Sequence, residues 1–314
     1  MNGRSASYRL FGLAVGSGLE LPCPRVRSSR PADVRFASGD PGAFAALRRR
    51  HPPAPREWFR HRRLPDGSTY LRWADLFEFV VSSDGRDIRY YQLRGATAES
   101  FSTYLLGQVL SFSLLRFGLE PLHGTVVVID GEAIAFLGDC GYGKSTLGAA
   151  FLSLGFPILT DDLIALERTA SGYAVHPGMP RLKLFPSVAR RVLGVERGGT
   201  PLNNATSKQI LPLAAQQACR RRTPLGALYV LSEPTPALRR PAADIELERL
   251  SGGDPFLEVI RNTFNTIVED RDRLASQFAF AGRLVAAVPV TRLSYPRSLA
   301  LLPAVCEAVL ADLS

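Results

Sequence analysis

Eight residues, Gly138-Asp139-Cys140-Gly141-Tyr142-Gly143-Lys144-Ser145, carry the spacing G-x-x-x-x-G-K-S. Glycines so placed let successive backbone N–H groups turn inward around an anion, and a helix opening at Lys144 adds its positive end. In such a loop Lys144 reaches the β- and γ-phosphates and the Ser145 hydroxyl ligates Mg²⁺, with Thr146 following in the first helical turn. The implied ligands are Mg²⁺ and a nucleoside triphosphate, ATP in the first instance, since the loop grips phosphates and does not read the base.

Two adjacent carboxylates, Asp161 and Asp162, interrupt an apolar run from Phe156 to Leu166. Burying both is costly unless a cation or a proton-transfer role compensates them. Adjacent residues of a strand point to opposite faces, so one carboxylate is expected to face Mg²⁺ and the other an attacking hydroxyl. His123 precedes the apolar segment that leads into the glycine loop. His51, His61 and His176 read as surface or loop residues. The chain's basic residues number 38, yet only Lys144, Lys183 and Lys208 are lysines. Where arginine is used so freely, a lysine can mark a site that needs a compact ammonium. Lys183 and Lys208 are therefore candidate contacts to substrate or phosphate.

These residues need a scaffold, and the pattern supplies one. Thr125–Ile129 and Ala133–Leu137 are apolar strands joined by Asp130-Gly131, a two-residue hairpin signal. A helix from Lys144 to Leu154 is stopped by Gly155, and a buried strand, Phe156–Leu166, follows. Ala227–Leu231 and Val288–Leu293 read as further strands, and 255–283 and 298–313 as helices. Strand, loop, helix and strand in this order imply an α/β domain. Upstream, Tyr8–Val15, Asp33–Phe36, Ser68–Trp73, Leu76–Ser82 and Asp87–Gln92 read as short strands between Gly, Pro and Asp turns. The interval 38–66 reads as a helix plus an exposed loop holding Pro52, Pro53 and Pro55. Residues 97–117 carry apolar positions at helical spacing. The boundary falls in that helix, dividing a β-rich N-terminal domain, residues 1–115, from a catalytic α/β domain, residues 116–314.

Composition narrows the classes. The 314 residues carry a net charge of +9, almost all of the excess being arginine. The densest cluster is Arg48–Arg50 with Arg56, Arg60, Arg62 and Arg63; no nucleic-acid module surrounds it, so it reads as a solvated or partner-facing surface. The most apolar stretch, Tyr104–Leu119, is too short and too polar to span a bilayer. Cys23, Cys140, Cys219 and Cys306 form no CxxC pair, and the first residues show no secretory pattern. The expectation is a cytoplasmic protein that binds neither nucleic acid nor membrane. Composition does not set an oligomeric state.

The motifs together resemble the HPr serine kinase/phosphorylase family. The shared pattern is His123-Gly124, the apolar hairpin, the loop Gly138–Ser145, and Leu159-Thr160-Asp161-Asp162. It departs at Thr146, where HPr kinases commonly have Glu, and the signature tied to the reverse reaction is not found. Tyr8–Leu13, Leu19–Pro22, Leu105-Leu106-Gly107, Pro121-Leu122-His123, Pro177–Leu182 and Val288–Leu293 resemble the smaller HPr-kinase-like proteins of lasso-peptide clusters, over most of the chain. The resemblance implies a P-loop kinase domain with a mixed sheet behind a smaller β-rich domain. It implies Asp161 as the base acting on a serine, Asp162 on the Mg²⁺ side and His123 in the active site. The implied partner is a peptide or protein with an acceptor serine, such as a lasso precursor. Other readings of the same residues are a regulatory NTPase, a nucleotide-holding module without transfer, and a kinase for a small molecule. Leu250-Ser251-Gly252-Gly253-Asp254 is similar to the transporter-ATPase signature, but Pro255 and a polar helical stretch follow it in place of a second acidic strand.

Overall fold

The computed structural model describes residues 6–52, 54–196, 198–203, 206–233 and 245–314, so Pro53 of the expected loop lies outside the described residues. The chain divides into two compact units, Met1–Leu119 and Glu120–Ser314.

In the first unit the expected strand Tyr8–Val15 is instead a hairpin, β1 (Ala6–Leu10) and β2 (Leu13–Ser17). It turns at Phe11 and Gly12, with φ of 52° and 85°, the left-handed pair that a tight two-residue hairpin requires. Phe11 hides the turn from sequence inspection because its ring is buried in the core. β3 (Val34–Ser38) leads to α1 (Pro41–Arg50), which opens with Pro41 and is capped by Asp40 accepting from Ala43 N at 2.7 Å. β4 (Phe59–Arg63) lies where a loop was expected, followed by β5 (Thr69–Trp73), β6 (Phe77–Val81) and β7 (Asp87–Gln92). The sheet runs β1-β2-β3-β7-β6-β5-β4. The expected helix is present as α2 (Ala98–Tyr104), one wider turn at Leu105–Val109, and α3 (Leu110–Arg116). Its Phe101 and Tyr104 meet Phe77 and Trp73 on one face of the sheet. His61, expected at the surface, is a half-buried member of β4 whose ring stacks on Phe112 at 5.7 Å.

The second unit begins with β8 (Pro121–Ile129) and β9 (Glu132–Leu137). They turn at Asp130 and Gly131, with φ of 48° and 86°, as the Asp-Gly signal requires. α4 (Lys144–Ser153), β10 (Ile158–Thr169) and β11 (Gly172–Val175) follow. Next come β12 (Arg181–Leu184), α5 (Pro186–Leu193), β13 (Thr200–Asn203) and β14 (Thr206–Pro212), whose strands form a small sheet in the order β12-β14-β13. The chain continues through β15 (Thr223–Leu231), β16 (Glu246–Arg249), α6 (Asp254–Arg261), α7 (Arg271–Ala287), β17 (Val290–Ser294) and α8 (Leu302–Leu313). The main sheet runs β11-β10-β8-β9-β15-β17-β16, parallel at β9-β15-β17 and antiparallel elsewhere. The single helix expected over 255–283 is two, with Asn262–Phe264 lying beside the start of β8 between them.

Strand alternation builds this unit's core. Val127, Ile129, Ile134 and Phe136 face α4, α5 and α8, whereas Val126, Ala133, Ala135 and Leu137 face α6 and α7. The main sheet is therefore sandwiched between helices. Each fully buried side chain such as Phe136 contributes about 1.5–3 kcal/mol. The result is a mixed α/β protein. Among the described residues no helix is long and apolar enough to cross a membrane.

Candidate functional site

β9 ends at Leu137 and α4 begins at Lys144, so the glycine-rich segment turns from a buried strand into a helix N-terminus. Gly138, Gly141 and Gly143 have φ of 137°, 92° and 99°, values that side chains oppose. The turn closes around its own lysine: Lys144 Nζ donates to the carbonyls of Gly138 at 2.6 Å and Asp139 at 2.9 Å. Gly138 N–H donates to Asn262 Oδ1 at 2.7 Å. Asn262 in turn donates its Nδ2 to Glu258 O at 2.8 Å and accepts from His123 N at 2.7 Å through its main-chain carbonyl. One buried amide just past α6 thus fixes the entrance of the loop beside His123.

α4 lies unusually close to β8. A Cβ at Gly148 would stand 2.6 Å from Thr125 Cγ2. This approach places Thr125 and Ser145 on one carboxylate: Asp161 Oδ1 accepts from Thr125 Oγ1 at 2.6 Å and from Ser145 Oγ at 2.9 Å. Asp161 Oδ2 accepts from Lys183 N at 3.0 Å. Asp162 forms an ion pair with Lys183 Nζ and lines the cavity in front of the loop. Strand alternation would separate the two carboxylates, yet both close on Lys183. Asp162 has φ of 73°, a left-handed conformation uncommon for a residue with a side chain and a frequent mark of functional sites.

The cavity measures about 360 Å³ and receives Cys140–Thr146, Asp162 and His123. All three lysines of the chain line it: Lys144 from α4, Lys183 from β12 and Lys208 from β14, the last with Nζ 5.4 Å from the centre of the Phe185 ring. Burial, partly offset by nearby anions, holds Lys144 and Lys183 down at about 8. His123 is driven to about 3, by burial first and then by the three lysine charges, so its imidazole is neutral. It packs edge-on to Phe264 at 5.8 Å.

Every candidate singled out from the sequence falls in this one neighbourhood. Others carried no sequence signal. Thr125 is a single hydroxyl in an apolar strand, and Asn262 lies inside an expected helix. Tyr295 and Arg297, between β17 and α8, line the cavity from far along the chain; burial raises the Tyr295 phenol to about 12. The remaining histidines stand apart, His176 with Glu167 at 3.0 Å. Gly252 and Gly253 of the transporter-like stretch merely turn the chain into α6. Among the described residues no three His, Cys, Asp or Glu side chains gather to hold a metal by themselves. The Ser145 hydroxyl and the Asp161 carboxylate are hard oxygen donors. They suit Mg²⁺, which takes one or two protein ligands and completes its shell with water and phosphate.

No family model matches the chain, and no curated protein matches it in sequence. Among solved structures it is similar to the Hpr(Ser) kinase/phosphatase from Coxiella burnetii. That likeness has 12% identity and a TM-score of 0.32, and it covers 61% of this chain and 94% of that one. A similarity of this size decides nothing about chemistry, which must come from the cavity's own residues.

Proposed function

We propose that the chain is an ATP-dependent kinase that transfers the γ-phosphoryl of Mg-ATP to a serine hydroxyl of a peptide or protein. The observation that carries this reading is the convergence of Ser145 Oγ on Asp161 at 2.9 Å beside a cavity holding Lys144, Lys183 and Asp162. A glycine loop, its lysine, a hydroxyl and a carboxylate are the parts a P-loop phosphotransferase uses.

Bound Mg-ATP would supply the transferable phosphoryl group and neutralise part of its charge. The chain's residues then divide the remaining work. Loop amides and Lys144 would hold the β- and γ-phosphates, and Ser145 and Asp161 would hold the metal. Lys183 lies between both aspartates, placed to steady charge on the moving phosphoryl oxygens. Asp162, open to the cavity, accepts the proton of the acceptor hydroxyl. This exchanges the two aspartate roles implied by family resemblance, because the three hydrogen-bond donors on Asp161 leave it turned toward the loop. His123, uncharged in the free protein, borders the entrance of the loop and orients. A serine-ended precursor peptide of the lasso type is the acceptor that the sequence resemblance suggests.

The test incubates the protein with Mg-ATP and such a peptide and reads peptide mass beside ADP release. A phosphate added by wild type and lost in Asp162→Asn supports the reading. ADP release with no peptide modified would point to a regulatory NTPase or another acceptor.

A further inference from the structure

The free edge of the N-terminal sheet carries an unassigned surface. β4 is the last strand in the order β1-β2-β3-β7-β6-β5-β4, and it pairs with β5 in the register Phe59↔Trp73 through Arg63↔Thr69. Just beyond its ends, Leu64 N donates to Ser68 O at 2.8 Å and Ala74 N to Trp58 O at 2.9 Å. Antiparallel alternation then turns the main-chain groups of Arg60 and Arg62 toward β5 and those of His61 and Arg63 outward. The Arg62 guanidinium reaches the outward His61 carbonyl at 3.1 Å.

Positive charge surrounds this edge. Arg62 and Arg63 are exposed on the strand itself, and Arg49 and Arg50 are exposed at the end of α1. That end of α1 lies over the face that Arg62 shares: Arg48 pairs with Glu78, and the His51 ring is 6.3 Å from Tyr70, which stands opposite Arg62. Among the described residues none of these four arginines has an acidic partner within ion-pair distance. Trp58, at the start of the strand, is 51% exposed.

We propose that β4 binds an extended acidic segment of a partner polypeptide, which adds to the sheet as an eighth strand. Outward N–H and C=O groups supply the backbone hydrogen bonds of strand addition, and Arg62, with Arg49 and Arg50 over the same face, selects carboxylates at alternating positions. A second copy of the same edge is disfavoured, since its arginines would oppose these. A nucleic acid would satisfy the charge but leave the outward backbone row unused. The binding mode is independent of phosphoryl transfer.

The test uses the full chain and a fluorescent decapeptide of alternating Glu and Val, read by anisotropy. Its counterpart carries N-methyl groups on alternate backbone amides, and a single-stranded DNA oligonucleotide of equal charge serves as competitor. The unmodified peptide should bind, and N-methylation should weaken it by about tenfold or more. Arg62→Glu with Arg63→Glu should do the same. Arg63→Pro, which removes an outward N–H and no hydrogen bond to β5, should also weaken binding while the circular dichroism spectrum is kept. If the charge-reversed protein does not fold, the N-methylated peptide against wild type still decides. Equal binding of the N-methylated peptide, DNA that binds as tightly and displaces the peptide, or no binding at all would each overturn the proposal.

Discussion

The hydroxyl of Ser145 donates to Oδ1 of Asp161 at 2.9 Å, and the same oxygen also takes the Thr125 hydroxyl. A carboxylate so engaged is turned toward the glycine loop, and the neighbouring Asp162 is left facing the cavity. The proposed division of labour between the aspartates rests on this one contact.

Ser145→Ala should therefore weaken ATP binding by about tenfold or more when Mg²⁺ is present and much less when it is chelated, the metal contact being what is lost. Calorimetric titration with and without Mg²⁺ checks this. An equal loss under both conditions would place Ser145 outside the metal's environment.

Anion binding should draw protons into the site. Lys144 and Lys183 are held near 8 by burial, so above that pH a fraction of each is neutral in the free protein. An arriving triphosphate favours the charged form and raises both values. Proton uptake on ATP binding should be negligible near pH 6.5 and clear near pH 8.5, read from binding heats in two buffers of different ionisation enthalpy. No uptake near pH 8.5 would contradict the burial of these ammonium groups.

His123 should remain neutral from about pH 5 to pH 8, because its folded value lies near 3. Its ring nitrogen chemical shifts should stay constant over that range. A titration near 6.5 would return it to the candidates for proton transfer.

Gly148→Ala reverses the usual expectation for a helix interior. Alanine normally favours a helix by roughly 1 kcal/mol over glycine. Here its Cβ would stand 2.6 Å from Thr125 Cγ2, and overpacking of that kind costs about 1–3 kcal/mol. Urea unfolding should show net destabilisation, with nucleotide binding weakened as Thr125 shifts against Asp161. A more stable protein would mean that α4 moves off β8 freely.

The elements around the cavity that are legible in the sequence are those whose signal is local. Asp130-Gly131 specifies a turn from two residues, and Gly138–Ser145 specifies a strand-to-helix loop from eight. Phe11-Gly12 makes the same kind of turn but was not legible, because a buried phenylalanine at positive φ is held by packing and not by propensity. β4 was obscured by its arginines, which suit an edge strand as well as a loop. Asn262 and Thr125 act through partners more than thirty residues away, and such contacts leave no trace in a window of sequence. The orientation of the aspartate pair was invisible for a further reason: the left-handed backbone at Asp162 breaks the alternation from which their faces were inferred.

The most direct test of the kinase account measures Mg-ATP affinity and phosphate transferred to a serine-ended peptide side by side, in wild type, Asp161→Asn and Asp162→Asn. The account predicts that Asp162→Asn binds Mg-ATP nearly as well as wild type and transfers phosphate about 10²–10⁴-fold more slowly, as loss of a general base entails. Asp161→Asn should lose the Mg²⁺-dependent part of binding. Full transfer by Asp162→Asn, or wild type that binds Mg-ATP and modifies no acceptor, would contradict it.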